Sequence, residues 1–375
     1  MIPFNRAQVS PSDLQLLADA INSGHISGNG PFTQKAELIL QTKLGVSRAL
    51  LTTSCTHALE MSALLSRVGP GDEVIIPAFT FVTTASAFML FGARPVFVDV
   101  ESETLNIDPS AIERAITSKT KAICVVHYGG IASNLDKIME IAKQHKLLVI
   151  EDNAHGLFST YKGKPLGTFG SLATQSFHET KNVTCGEGGA LLINDASLTE
   201  RAEILREKGT DRSKFLRGQV DKYTWVDIGS SWIMSDMLAA LLCGQLDRAS
   251  VINDQRIKIY NRYDIELRHW AAFHGVMTPF HPTDCTHTAH VYHLRFRSGT
   301  TRDRFIAHMA DRKIGTVFHY QPLHLSQVGQ RLGGKIGDCP VTEHAGDCLV
   351  RLPLFNSMAE ETQAQVIDAV MSFMP

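Results

Sequence analysis

The run Leu147-Leu148-Val149-Ile150-Glu151-Asp152 is apolar over four residues and ends on two acidic ones. A short apolar run bounded in this way is typical of a strand that lies buried inside a sheet. Three earlier runs share this character: Glu73–Pro77, Pro95–Val100 and Lys121–Val126. Helical patterns separate them, and strands that alternate with helices predict an α/β fold with a mainly parallel sheet between layers of helices.

The helices expected in this half are Thr80–Leu90, Pro109–Ile116 with Asp108 as its N-cap, and Leu135–His145. The second half predicts a helix over Leu198–Lys208, a long basic loop over Thr210–Thr224, one helix from about Asp236 through Tyr260 and beyond, a strand over Ala289–Phe296 and a helix over Arg302–Arg312. The change in pattern predicts a large domain over residues 1–245, including the N-terminal segment, and a small C-terminal α+β domain over residues 246–375.

The composition is that of an ordinary globular protein, with 375 residues, 44% hydrophobic and 20% charged. A formal net charge of -2 gives no reason to expect a nucleic-acid or membrane partner. None of the seven cysteines forms a CxxC pair, so we expect no metal site and no disulfide framework. The start of the chain lacks the pattern of a signal peptide, and a cytoplasmic location is expected.

The two acidic residues that end the fourth strand open the segment Glu151–Gly156. Asp152 should be buried, and a buried carboxylate needs a cationic partner or strong hydrogen bonds. A protonated pyridinium nitrogen is such a partner, and this pair makes pyridoxal phosphate an electron sink. A helix N-cap is the alternative role for the aspartate, and this motif alone favours neither.

The segment Ser176-Phe177-His178-Glu179-Thr180-Lys181-Asn182 places a lysine between a strand-like run and the glycine-rich turn Cys185–Ala190. A lysine in a loop at a strand end becomes a nucleophile when its surroundings lower its pKa. The alternative is an ordinary surface lysine. The polar neighbours and the glycine pair, which permits close backbone approach to a ligand, favour the functional interpretation.

Two further motifs precede these in the chain. Thr52–Glu60 is a hydroxyl-rich turn that leads into a helix, and free N–H groups at a helix start suit a phosphate group, although a simple helix cap has the same composition. Pro77–Thr84 places aromatic residues just after a strand end, where they can stack on a flat ring or belong to the core.

The order of phosphate turn, aromatic residue, buried aspartate and lysine resembles that of fold-type I pyridoxal-phosphate enzymes. The chain resembles the DegT/DnrJ/EryC1/StrS family of sugar aminotransferases over nearly its whole length, from Ile2-Pro3-Phe4 to Arg351–Phe355. The likeness includes Gly71–Ile75, Phe97–Val100, His127–Gly130 and Phe318–His324. Arg206–Thr210 and Gly218–Trp225 are further similar to a subgroup that makes dTDP-4-amino-4,6-dideoxygalactose for enterobacterial common antigen, a surface polysaccharide related to lipopolysaccharide.

The resemblance implies a role for each matching residue. Lys181 is expected to bind the cofactor covalently and to transfer protons, and Asp152 to pair with the ring nitrogen. The remaining expected cofactor ligands are Cys55, Thr56 and Ser176 at the phosphate, Phe81 on the ring face, His155 near the ring hydroxyl, and Ser231 where relatives place an Asn from the partner subunit. The expected substrate-binding residues are Tyr223, Trp225, His319 and Tyr320. The basic loop with Arg212, Lys214, Arg217 and Lys222 either contacts a diphosphate or is a solvated basic face.

The function implied by the resemblance is transfer of an amino group from L-glutamate to dTDP-4-dehydro-6-deoxy-D-glucose, which gives dTDP-4-amino-4,6-dideoxy-D-galactose, in a homodimer with shared active sites. A gluco-configured product and a 3-keto substrate remain open. Related dehydratases carry His in place of the lysine, whereas this chain has Lys181. A non-catalytic regulator on the same fold would be expected to lose Lys181 or Asp152, and both are present.

Overall fold

A computed structural model describes every residue from Met1 to Pro375. The helices are α1 Pro11–Asn22, α2 Pro31–Leu44, α3 Cys55–Leu65, α4 Thr83–Met89, α5 Pro109–Ala115, α6 Leu135–His145, α7 Thr199–Arg206, α8 Arg212–Leu216, α9 Asp236–Asp247, α10 Ala249–His274, α11 Gly299–Asp311, α12 Gln327–Arg331, α13 Pro340–Cys348 and α14 Glu360–Met371. The strands are β1 Arg48–Thr52, β2 Glu73–Pro77, β3 Arg94–Val98, β4 Thr120–Val126, β5 Leu148–Asp152, β6 Thr160–Tyr161, β7 Lys164–Pro165, β8 Leu172–Ser176, β9 Gly189–Ile193, β10 Tyr292–Arg295, β11 Val317–Phe318 and β12 Leu349–Leu352.

A seven-stranded sheet in the order β1-β9-β8-β5-β4-β2-β3 forms the centre of the larger part of the protein. Strands β8, β5, β4, β2 and β3 run parallel to one another, and β9 is antiparallel to both of its neighbours. The prediction of a mainly parallel α/β sheet is therefore confirmed. The four predicted strands all lie in it, within two residues of their expected bounds.

Alternating side chains of the sheet fill separate apolar clusters on its two faces. Ile76, Cys124 and Ile150 pack with α3 and α4 on one face, whereas Ile123 and Val149 pack with α5 and α6 on the other. This is the arrangement expected when helices cover both faces of a parallel sheet. No helix is both long and apolar enough to cross a bilayer.

A second, three-stranded antiparallel sheet in the order β10-β12-β11 packs with α10, α11 and α14. Its cluster of 24 buried apolar residues lies between Ile259 and Phe373, so this part of the chain has a core of its own. The long helix α10 joins the two parts, since Ala249 at its start belongs to a cluster of the large sheet. The division after residue 245 stays a prediction.

The predicted single helix from Asp236 through Tyr260 is wrong, because α9 ends at Asp247 and α10 begins at Ala249. Arg248 between them has φ -101 and ψ 8, and its guanidinium pairs with the fully buried Asp13 of α1. Gln245 donates a second hydrogen bond of 2.9 Å to the same carboxylate. The break coincides with a contact between segments far apart in sequence. Helical periodicity is a local pattern and does not predict such a contact.

Two other predictions need correction. The segment Thr210–Thr224 is not loop throughout, since it contains the short helix α8. The strand predicted over Ala289–Phe296 is shorter, because the carbonyls of Ala289 and His290 accept hydrogen bonds from Arg256 instead of pairing in the sheet. Asp108 caps α5 as predicted, with its carboxylate 2.8 Å from the N–H of Ser110.

Candidate active site

One cavity of about 590 Å³ lies at the edge where the carboxyl ends of the parallel strands meet. Asp152 ends β5 and Ser176 ends β8, and both line this cavity. Strand β9 starts at the same edge, and the loop between β8 and β9 carries Lys181 into the cavity. Ligand sites of open α/β sheets lie at this edge because the strand-to-helix loops gather there.

Asp152 is 5% exposed and has no cationic partner within salt-bridge distance. Its Oδ2 accepts a hydrogen bond of 2.7 Å from the hydroxyl of Thr84, and its Oδ1 one of 3.3 Å from the N–H of Ala154. Burial raises the pKa of this carboxyl, and these hydrogen bonds and the charge of Lys181 offset part of the rise. No helix starts here, so Asp152 is not an N-cap, and its charge is left for a bound cation.

The half-buried Lys181 carries its amine into the cavity. Burial lowers its pKa to about 8, the charge of Arg351 acts in the same direction, and the Cys55 thiol and Asp152 oppose the shift. A lysine of this kind is neutral far more often at neutral pH than an exposed one, and only a neutral amine is a nucleophile or a base. The backbone N–H of Lys181 donates to the carbonyl of His178 at 2.9 Å, which fixes the loop below the side chain.

The start of α3 offers donors for an anionic group. Ser54 caps the helix by accepting from the N–H of His57 at 3.1 Å. The N–H groups of Cys55 and Thr56 begin the helix and so have no carbonyl partner within it. Gly189 permits this approach of the helix to the sheet, because a Cβ at its position would lie 2.4 Å from the nitrogen of Cys55. These features fit a phosphate group.

Aromatic and imidazole rings form the opposite wall. The ring centroids of His155 and His290 are 4.2 Å apart, and those of His155 and His319 are 6.1 Å apart. Burial lowers the pKa of all three imidazoles well below the usual value, and the nearby positive charges of Lys181 and Arg351 add to this effect. The wall is therefore polar but uncharged at neutral pH.

A buried, hydrogen-bonded pair of side chains lies next to Asp152. Glu151 Oε2 lies 3.0 Å from Nε2 of His127, and both side chains are fully buried. The same carboxylate accepts from the N–H groups of Gly167 at 2.8 Å and of Phe169 and Gly170 at 2.7 Å. Burial acts to raise the pKa of Glu151, but the hydrogen bond from His127 and those from the backbone donors outweigh it, and the pKa is lowered. This network holds the strand end next to Asp152.

The lowered pKa of Lys181 gives a prediction that needs no cofactor. Competitive acetylation of the ligand-free protein, with peptides read by mass spectrometry, will show half-limiting reactivity of Lys181 near pH 8. A lowered pKa means that the neutral, reactive amine forms at a lower pH. The exposed Lys119 at the far edge of the sheet is the reference. Equal midpoints for the two lysines would contradict the lowered pKa of Lys181.

Comparison with known proteins identifies the family of this chain. The model of the DegT/DnrJ/EryC1/StrS aminotransferase family matches residues 8–371. The chain belongs to this family. It is 33% identical over 377 residues to the spore coat polysaccharide biosynthesis protein SpsC of Bacillus subtilis. The aligned region covers 98% of this chain and 96% of SpsC.

Solved structures agree over the whole fold. The aminotransferase TlmJ from Streptoalloteichus hindustanus superimposes with a TM-score of 0.91 at 31% identity, over 99% of this chain and 98% of TlmJ. Spr1654 of Streptococcus pneumoniae, assigned as a sugar aminotransferase, superimposes in its pyridoxal-phosphate form with a TM-score of 0.91 at 29% identity, over 99% and 98% of the two chains. The family member described here is therefore a pyridoxal-phosphate-dependent sugar aminotransferase, and not a non-catalytic regulator.

The structure of this family member brings nine of the twelve predicted site residues to one cavity. They are Cys55, Thr56, Phe81, Asp152, His155, Ser176, Lys181, His319 and Tyr320. The three others, Tyr223, Trp225 and Ser231, do not line the cavity of their own chain and lie on the exposed segment after α8. Trp225 is 77% exposed, and Ser231 forms a backbone bridge with Glu207.

Two cations of the basic loop form salt bridges with acidic side chains of the same chain. Lys214 pairs with Glu200 at 2.7 Å, and Arg217 pairs with Glu203 at 2.8 Å. These two cations are engaged within their own surface, which supports the interpretation of a solvated basic face over that of a diphosphate site.

Sequence reasoning missed four side chains of the site: Thr84, His290, Arg351 and Phe4. Thr84 contacts Asp152 across the sheet edge, and its position one helical turn after Thr80 gave no distinct signal. His290 and Arg351 come from the small three-stranded part of the fold, and Phe4 comes from the N-terminal segment. Only the three-dimensional fold brings these distant segments to the cavity.

Proposed function

We propose that this enzyme transfers an amino group from L-glutamate to a dTDP-linked 4-keto-6-deoxyhexose, and that Lys181 and Asp152 are its central residues. The observation that carries the assignment of residues is the shared cavity, in which a lysine with a lowered pKa, a carboxylate without a cationic partner and the free N–H groups of a helix start lie together. Each of these features fits one part of pyridoxal phosphate: its aldehyde, its ring nitrogen and its phosphate.

When bound, the cofactor supplies an aldehyde that accepts the amino group and a ring that withdraws electrons from the reacting carbon. Cys55, Thr56 and Ser176 would hold the phosphate, since they lie at the start of α3 and the end of β8. Phe81 would contact the ring, and His155 would hydrogen-bond its hydroxyl. The neutral state of His155 lets it donate or accept a hydrogen bond there without adding charge.

Asp152 keeps the ring nitrogen protonated, because its buried carboxylate gains a cationic partner when the nitrogen carries a proton. Lys181 Nζ holds the cofactor and, once free, moves protons. It removes the proton from Cα of glutamate in the first half-reaction and delivers a proton to C4 of the sugar in the second. The pKa of about 8 suits both directions of transfer near neutral pH.

The substrate assignment rests on the segments Arg206–Thr210 and Gly218–Trp225, which are similar to those of the subgroup that makes dTDP-4-amino-4,6-dideoxy-D-galactose. His319 and Tyr320 line the cavity, and the two rings lie with centroids 3.5 Å apart. We place the sugar against them. A role in surface polysaccharide synthesis, such as enterobacterial common antigen or lipopolysaccharide, would follow from this product.

Tyr223 and Trp225 are assigned to the substrate site of the partner subunit in a homodimer. Their exposure on a segment that also exposes Phe215, Val226 and Ile228 supports this assignment, since apolar patches of this kind are covered in assemblies. Sedimentation equilibrium measures the assembly directly, and a strictly monomeric enzyme with full activity would refute it.

The decisive experiment is a product assay with dTDP-4-dehydro-6-deoxy-D-glucose and L-glutamate, in which NMR couplings give the configuration at the aminated carbon. We expect the galacto-configured 4-amino sugar. A gluco product would show that Lys181 delivers the proton to the other face, and a 3-keto sugar as the sole accepted substrate would refute the proposed regiochemistry. A protein that binds pyridoxal phosphate but transfers no amino group to any of these sugars would refute the substrate assignment as a whole.

A further inference from the structure

His290 is a buried imidazole of the active-site cavity whose hydrogen-bonding state is fixed by its neighbours. It lies in the segment between α10 and β10, and its side chain lines the cavity together with Lys181. Its ring centroid is 4.2 Å from that of His155. Its Nδ1 is 3.0 Å from the side-chain oxygen of Asn182, the residue that follows Lys181. The orientation of this amide therefore decides which ring nitrogen of His290 carries the proton.

The amide of Asn182 has one orientation that satisfies its contacts. Its Nδ2 donates to the carbonyl of Thr288 at 2.7 Å, and a carbonyl can only accept. The side-chain oxygen therefore faces Nδ1 of His290 and accepts from it. Burial and nearby cations hold the pKa of this imidazole well below its usual value, so the ring is neutral and carries one proton. That proton is on Nδ1, which leaves a free lone pair on Nε2.

The backbone next to His290 is held in place as well. Ala289 has φ 49, a left-handed conformation that costs free energy for a residue with a Cβ. Arg256 donates to the carbonyl of Ala289 at 3.1 Å and to that of His290 at 2.8 Å, and these bonds stabilise the turn. The Nε2 atom of His290 has no partner in the protein and is open to the cavity. The protein therefore presents a fixed hydrogen-bond acceptor at this point of the wall.

The neighbouring ring of His155 has the opposite state. Its Nδ1 accepts from the backbone N–H of Gly129 at 3.2 Å, so its single proton is on Nε2. The two rings thus present a donor at His155 and an acceptor at His290. A donor suits a negatively charged oxygen, whereas an acceptor suits a hydroxyl and gives no hydrogen bond to a carboxylate. The two imidazoles are therefore built to contact different groups of a ligand.

We propose that Nε2 of His290 accepts a hydrogen bond from the C3 hydroxyl of the keto sugar, an inference that rests on the function proposed above and extends it. His290 packs against His155, which we place at the ring hydroxyl of the cofactor, so it lies close to the carbon that receives the amino group. Next to that carbon, C4, the sugar carries a hydroxyl-bearing carbon, C3. The corresponding carbon of glutamate carries a carboxylate and a methylene, and neither can donate. His290 therefore binds one of the two substrates and not the other.

The test compares two pairs of ligands on the holoenzyme. The first pair is the keto-sugar nucleotide and its analogue without the C3 hydroxyl, for which kcat/KM is measured. The second pair is the corresponding 4-hydroxy sugar nucleotides, which cannot accept an amino group, and calorimetry gives their Kd. For the wild type we expect the C3 hydroxyl to improve both constants by roughly three- to tenfold, which is the net contribution of one hydrogen bond.

Two variants of His290 separate its two ring nitrogens. His290→Asn places an amide nitrogen where Nδ1 was and can still donate to Asn182, but it has no group at the position of Nε2. We expect it to lose most of the preference for the C3 hydroxyl, while kcat/KM for glutamate stays within about twofold. The longer side chain of His290→Gln has an oxygen that reaches the position of Nε2, and it should restore part of the preference. The control is His145→Asn at the exposed end of α6, which should keep the full preference.

A wild-type enzyme without a preference for the C3 hydroxyl in either assay would overturn the inference, and this measurement requires no variant to fold. The same preference in the wild type and in His290→Asn would also overturn it, because the hydroxyl would then be bound elsewhere. An equal loss of kcat/KM for glutamate and for the sugar would show that the ring only supports the fold. A wild type that aminates neither sugar nucleotide would refute the proposed function itself.

Discussion

Replacing Lys181 with alanine will lower kcat by at least about a thousandfold, because one positioned side chain transfers the protons of both half-reactions. The variant should still bind pyridoxal phosphate, since the donors of α3, Ser176 and Asp152 are unchanged. Its cofactor will be removable by dialysis, and borohydride will not fix it to the protein. Steady-state kinetics and intact mass after borohydride treatment measure the two effects.

The control is Lys119→Ala, which removes an exposed lysine at the opposite edge of the large sheet. Borohydride should add the mass of the reduced cofactor to the wild type and to this control, and the modified peptide should contain Lys181. Retention of full activity by Lys181→Ala, or modification of a different lysine, would show that the amine in the cavity is not the one that holds the cofactor.

Asp152→Asn will lower kcat by at least about a hundredfold. Loss of one partner from a buried ion pair costs about 3 to 5 kcal/mol, and about 1.4 kcal/mol corresponds to a tenfold change in rate. The amide keeps the shape of the carboxyl and can still accept from Thr84, so the change removes the charge together with only the longer hydrogen bond of 3.3 Å from the N–H of Ala154. The absorbance titration of the bound cofactor should move to lower pH, because the ring nitrogen loses its anionic partner.

The ligand-free form of Asp152→Asn should be at least as stable as the wild type. Burial raises the pKa of Asp152, which means that the charged carboxylate is disfavoured in the folded protein, and an uncharged amide avoids this cost. Thermal unfolding of the ligand-free proteins measures it. The control is Asp136→Asn at the exposed start of α6, which should leave both kcat and the cofactor titration unchanged. Wild-type kcat in Asp152→Asn would refute the charge pairing.

The parts of the site that sequence alone predicts are those where chemistry and secondary structure are local. Asp152 ends an apolar strand, Ser54 and Thr56 start a helix, and Lys181 lies in the turn between two strands. The carboxyl ends of parallel strands lie at one common edge of the sheet. Residues at several such ends are therefore expected to lie close together once the strands are known. This physical rule explains why seven of the predicted residues share a cavity, whereas His319 and Tyr320 follow β11 of the small sheet and reach the cavity only through the tertiary structure.

The tertiary structure decided the remainder. Periodicity predicts one helix where Arg248 meets Asp13 and the backbone breaks, because an ion pair between segments far apart leaves no local pattern. It also gives no reason to single out Arg351, which sits in a strand like any other arginine until the small sheet packs against the large one.

The sequence by itself therefore determined the α/β fold, the order of the motifs and the family. Strand burial, helix caps and turn residues act over a few positions and are written in neighbouring residues. Only the tertiary structure decided which cations are paired, which imidazoles are neutral and which exposed aromatic residues lie outside the cavity. These properties depend on burial and on distances between segments remote in the chain, because the free energy of a charge is set by everything packed around it.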